Sequence, residues 1–131
     1  MTKQITQPYA PITEAELAAL IDGVGTDNLA ELQELMSDRH RYDSKTFQRE
    51  ASNYISEALD KLGFCWIRSP ARNDPLFDDI IAALYRAGQV ERIAFTSHNE
   101  HVRKSAAKII ASKMLQQWHE SNTQVVRRPP E

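Results

Sequence analysis

The chain has 131 residues and 14.9 kDa, 41% of them hydrophobic and 26% charged, which is one domain's worth of sequence with enough apolar surface for a core. Its single cysteine, Cys65, excludes an intrachain disulfide and a multi-cysteine zinc site, and four glycines and six prolines exclude collagen-like and low-complexity classes. The net charge of −2 conceals an asymmetry: residues 1–65 carry six basic and eleven acidic side chains, whereas residues 66–131 carry ten basic and seven acidic.

Residues 1–11 are polar and lack the apolar stretch of a signal peptide, so they read as an extended lead-in. Thr13 followed by Glu16 is a capping box, with Ile12 placed to staple onto Leu17. The first helix is expected to run to Asp22 and to stop at Gly23 and Gly25. A second short helix starts at Thr26 or Asp27 and carries Leu29, Leu32, Leu35 and Met36 on one side. Residues 37–43 form a charged connection.

The third helix is the clearest element. Phe47, Ala51, Tyr54, Ile55, Ala58, Leu59 and Leu62 recur at spacings of three and four, with Ser44 as cap and Gly63 as stop. Phe64 to Arg68 is aromatic and β-branched and reads as a strand. After a loop from Ser69, Asp74 and Pro75 open a fourth helix, with Asp78 and Asp79 in its early turns and a stripe of Phe77, Ile80, Ile81 and Leu84. Gly88 ends it. Val90 to Phe95 alternates and predicts a second strand. Ser97 to Glu100 is a further capping box for a fifth helix reaching about Glu120, with Val102, Ala106, Ile109, Ile110, Met114 and Trp118 inward. Residues 121–131 are expected to be a flexible tail. The fold class is therefore mainly α: a bundle of about five helices in a domain over residues 12–120, with a minor two-stranded β element.

The chemistry-bearing residues give weak signals. His98 and His101 share one helix face, but no further ligands are fixed near them, so no metal site is expected. Cys65 lies in an apolar strand and reads as a core thiol rather than a nucleophile. Asp78 and Asp79 point about 100° apart on a helix and do not converge as an acid–base pair. No glycine-rich phosphate loop follows a strand. No catalytic residue and no cofactor is therefore expected.

Two macromolecular surfaces remain. The short N-terminal helices are acidic and apolar on one side, and Leu29, Leu32, Leu35, Met36, Tyr42 and Trp118 are candidate protein-contact residues, with a second protein or a second copy of the chain as occupant. The stretch Leu84 to Phe95 resembles the end of a winged-helix recognition helix running into its first wing strand. That resemblance implies DNA binding by a transcriptional regulator, with Arg86, Arg92, Arg103, Lys104, Lys108 and Lys113 toward phosphate. The preferred expectation is a non-enzymatic, cytoplasmic protein-binding module, acting as adaptor, inhibitor or regulatory subunit. Accessory proteins of phages and mobile elements are often of this kind. No apolar run approaches the roughly 20 residues a membrane span needs, and no membrane partner is expected.

Overall fold

The computed structural model describes residues 10–37, 44–68 and 76–128. Among these the fold is α-rich, with six helices and a small antiparallel sheet. Helix α1 spans Glu14–Asp27, α2 Leu29–Ser37, α3 Ser44–Lys61, α4 Leu76–Ala87, α5 Gln89–Phe95 and α6 Glu100–Glu120. Strands β1 (Ala10–Pro11), β2 (Phe64–Arg68) and β3 (Thr123–Arg127) lie in the order β1-β3-β2.

The start of α1 follows from its sequence. Thr13 Oγ1 accepts from the Glu16 N–H at 3.1 Å, and Glu16 Oε1 accepts from the Thr13 N–H at 3.0 Å. Ile12 and Leu17 are both buried in the core. The predicted stop is wrong, because α1 runs through both glycines to Asp27. Neither Gly23 nor Gly25 has a positive φ, so neither acts as a helix stop. Gly25 instead allows close packing: a Cβ built there would lie 2.9 Å from both the Phe95 ring and the Phe95 carbonyl oxygen. At Gly63 the expected stop is observed, with φ +85° directly after α3.

The predicted strand Val90–Phe95 is helix α5 instead. Six alternating residues also fit fewer than two helical turns, and here Arg92 and Phe95, three apart, both turn inward. Arg92 Nη1 donates to the carbonyls of Leu84 and Tyr85 at 2.7 and 3.2 Å near the end of α4, where Tyr85 also accepts from the Gly88 N–H. Tertiary partners outweigh the β propensity of valine and isoleucine at this position. Without that strand, the winged-helix resemblance has no wing.

The flexible-tail expectation is corrected for residues 121–127, the last three residues of the chain lying outside the described ones. Ser121 and Asn122 make a turn, with Asn122 at φ +57°, and Thr123–Arg127 then forms the central strand. Trp66 stands opposite Val125, and Pro11 opposite Val126. Ile12 donates to the Val125 carbonyl at 2.9 Å, so both ends of the described chain meet in one sheet. Thr123, Val125 and Val126 of this strand are buried, and the adjacent valines are the β signal in its sequence.

Helix α6 packs on α1, α4, α5 and β3 and forms the centre of the molecule. Its N-cap is Asn99, whose Oδ1 accepts from the Val102 N–H at 3.1 Å, rather than the predicted Ser97 box. Ala106, Ile110, Met114 and Trp118 are inward as expected, joined by Arg103, Ala107 and Ala111. Val102 and Ile109 are outward, and so is Leu62 beyond the end of α3. Phe47 of α3 meets Phe95 edge-on, with ring centroids 6.4 Å apart. Cys65 is half-buried. The expected Asp74 cap and Pro75 lie outside the described residues.

Two predictions follow from this packing. Gly25→Ala should destabilise the fold by about 1–3 kcal/mol through overpacking against Phe95. Gly23→Ala, where nothing lies within 4 Å of the added Cβ, should instead stabilise it by about 0.5–1 kcal/mol. Urea denaturation of the pair checks both signs. The Glu16 carboxyl is held below its ordinary 4.5 by the Thr13 backbone N–H and by Arg127. A lowered folded value gives stability that is present above pH 4.5 and lost as pH falls through the folded value. Acid titration of Glu16→Gln should therefore show a shallower loss of stability below that pH than the parent chain.

Candidate protein-binding groove

The close approach of α1 and α5 sets the orientation of the latter. With Phe95 seated against Gly25 and Phe47, and Arg92 bonded to the end of α4, the opposite side of α5 faces solvent. Val90 is 73% exposed and Ile93 51%. Gly88, with φ +94°, makes the reversal between α4 and α5. Burial holds the Arg92 pKa below its ordinary value, while the neighbouring Tyr85 acts in the opposite direction. The guanidinium carbon lies 5.8 Å from the centroid of the Tyr85 ring.

Helix α2 forms the second wall. Gln33 Nε2 donates to the Thr96 carbonyl at 2.7 Å, joining α2 to the turn between α5 and α6. Thr96 Oγ1 donates to the Ile93 carbonyl at 2.9 Å and closes α5. Ser97 Oγ accepts from the Asn99 N–H at 3.0 Å, directly before the α6 cap. These bonds fix an open groove of about 1010 Å³ lined by Ala30, Gln33, Glu34, Val90, Ile93, Ala94, Val102 and the 96–98 turn. Val102, 40% exposed, is the contribution of α6.

None of the described protein-contact candidates lines this groove. Leu32 and Trp118 are buried in the core, and Leu35 packs against it, because the apolar side of α2 is turned toward α3 and the interior. Leu29 is half-buried. The Met36 side chain and Tyr42 lie outside the described residues. The side of α2 that reaches the groove carries Ala30, Gln33 and Glu34. The signal overlooked in the sequence is Val90 and Ile93, three apart and on one side of a short helix.

The candidate phosphate contacts are largely engaged within the chain. Arg92 and Arg103 are buried. Arg103 Nε lies 3.1 Å from Asp22, and Lys104 lies 3.4 Å from Asp22 and 3.5 Å from Glu100. Arg86 pairs with Glu120 at 2.8 Å. Lys108 is exposed beside a smaller cleft of about 430 Å³ between α1 and α6, and Lys113 is half-buried on α6. Arg127 bridges to Glu16 at 2.9 Å, with its guanidinium 4.5 Å from the Phe64 ring centroid.

His98 lines the groove in the turn before α6, whereas His101 is exposed on α6 itself, so the two do not share the expected helix face. Among the described residues, no three His, Cys, Asp or Glu side chains gather as a metal would require. Asp78 and Asp79 part as expected: Asp78 is exposed, whereas Asp79 is buried and accepts from Ser121 Oγ at 3.4 Å. No helix among the described residues is long and apolar enough to cross a membrane. No protein-family model, curated protein or solved structure matches the chain.

Arg92→Ala should lower stability by about 2 kcal/mol, because two charge-assisted bonds to α4 carbonyls are lost together with the stem packing. Arg92→Lys should retain part of this, since an ammonium is a single point donor. Thermal melts of the two variants beside the parent measure the difference.

Proposed function

We propose that the protein is a non-enzymatic binding module that holds another protein through the groove between α2, α5 and the start of α6. The observation that carries this reading is the grouping of Val90, Ile93 and Val102, all exposed, in one concavity whose walls are hydrogen-bonded into place. Single exposed aliphatic residues are ordinary on protein surfaces, but several converging in one concavity mark contact sites. A partner covering them removes apolar area from water at roughly 25 cal/mol per Å². The groove presents amide, hydroxyl and imidazole groups at its margin through Gln33, Ser97 and His98, as an orienting polar rim does. Regulatory, adaptor and inhibitor roles in the cytoplasm are all served by a surface of this type.

The double substitution Val90→Asp, Ile93→Asp should leave the melting temperature nearly unchanged, because both side chains already face water. It should abolish recovery of proteins that co-purify with the parent chain from its native host. Leu32→Asp, at a fully buried position, should instead unfold the domain. A folded double variant that keeps every partner would remove the groove from consideration.

A further inference from the structure

We propose that the outer edge of β2 pairs with the same edge of a second copy of the chain, across a two-fold axis at Trp66, to make one continuous antiparallel sheet. Among the described residues β2 has a strand on one side only, since the order is β1-β3-β2. Two hydrogen bonds fix which way the backbone groups point. The Ile12 N–H donates to the Val125 carbonyl at 2.9 Å, so Val125 faces β1. The Arg128 N–H donates to the Gly63 carbonyl at 2.7 Å, so Arg128 faces β2. Backbone groups alternate sides along an antiparallel strand. Gln124 and Val126 therefore face β2, where they stand opposite Ile67 and Cys65. Phe64, Trp66 and Arg68 are left with their N–H and C=O groups directed away from β3.

This pattern is symmetric about Trp66. A second β2 laid antiparallel, with Trp66 opposite Trp66 and Phe64 opposite Arg68, joins every outward group in roughly six inter-strand bonds. A slip of one residue would set outward groups against groups already spent on β3. The side chains suit the same register. Trp66 shares a face with Phe64 and Val125, both in the core, yet is itself 46% exposed. Ile67, on the other face, is 42% exposed. Pairing carries the core face across the join, tryptophan against tryptophan, and sets Ile67 against Cys65 of the second copy. Cross-strand aromatic and aliphatic pairs of this kind stabilise a sheet.

The two edges of the sheet differ in how they meet water. Free edges are ordinarily blunted by shortness, by charge or by proline. The β1 edge is blunted in this way: the strand is two residues long, and its outward residue, Pro11, has no N–H to offer. The β2 edge has no such device, since Phe64 to Ile67 carries neither a charge nor a proline. Any extended segment could meet the outward backbone groups. An identical strand also matches them in length and presents apolar side chains on both faces. This surface is separate from the groove, to which the sheet contributes no residue.

Sedimentation equilibrium of the full chain under reducing conditions, up to ~1 mM, together with amide hydrogen exchange by NMR, tests the pairing. Rising concentration should convert monomer to dimer and slow exchange several-fold at Phe64, Trp66 and Arg68. Cys65 and Ile67, whose amides already face β3, should change less. Trp66→Lys sets like charges across the axis and should keep the chain monomeric with a nearly unchanged melting temperature. Ile67→Lys, at the second exposed position, should weaken the dimer several-fold and carries the comparison if Trp66→Lys does not fold. A chain that stays monomeric up to ~1 mM overturns the proposal. So does a dimer that both lysine variants retain, or one in which the three outward amides exchange as in the monomer. A dimer abolished by Val90→Asp, Ile93→Asp but retained by the lysine variants assigns self-association to the groove and overturns the edge pairing.

Discussion

The contact between Gly25 and Phe95 is the constraint on which the rest of the arrangement turns. A helix carries a glycine in its interior at a cost of about 1 kcal/mol relative to alanine. Here that cost is offset by the seat it makes for an aromatic ring and the carbonyl beside it. With the end of α5 pressed against α1 and edge-on to Phe47, the helix has one rotational setting. That setting directs Arg92 to carbonyls in the last turn of α4 and leaves Val90 and Ile93 in water. The groove is thus a consequence of core packing on the other side of the same seven-residue helix.

The second organising feature is the closure of the chain on itself. Strand β3 runs between β1 and β2, and the start of α1 is bound to it through Ile12 and through the Glu16–Arg127 pair. This closure changes the meaning of the charge asymmetry. Along the sequence, the acidic first half and the basic second half suggest two partners of opposite sign. In the fold, α1 lies along α6, and Asp22 meets Arg103 and Lys104. Much of the asymmetry is therefore spent within the molecule.

Helices α2 and α5 show why an apolar stripe does not identify an interface. Leu32 and Leu35 form the more obvious stripe, yet they belong to the interior, because a short helix without such packing would not hold in water. The residues left for contact are those the core does not use, and only the packing reveals which these are. The hydrogen bonds from Gln33 to Thr96 and from Tyr54 to Glu31 brace α2 against the α5–α6 turn and against α3. The Glu31 carboxylate pushes the Tyr54 hydroxyl up to about 12, so this brace stays protonated across the neutral range.

The local sequence determined the features with short-range causes. These are the Thr13–Glu16 capping box, the long stripe of α3, the glycine stop at Gly63, the strand Phe64–Arg68 and the mainly helical class. Each depends on residues within about one turn or one strand of each other. Tertiary structure decided the rest. Gly25 reads as a stop until Phe95, seventy residues away, is placed against it. Val90–Phe95 satisfies both periods until Arg92 finds the carbonyls of α4. Thr123–Arg127 has no ladder until β1 and β2 flank it. The groove is of this second kind, because its walls come from two stretches of chain distant in sequence, residues 30–34 and 90–102. Hydrophobic pattern marks which residues avoid water, whereas long-range packing determines which of them succeed.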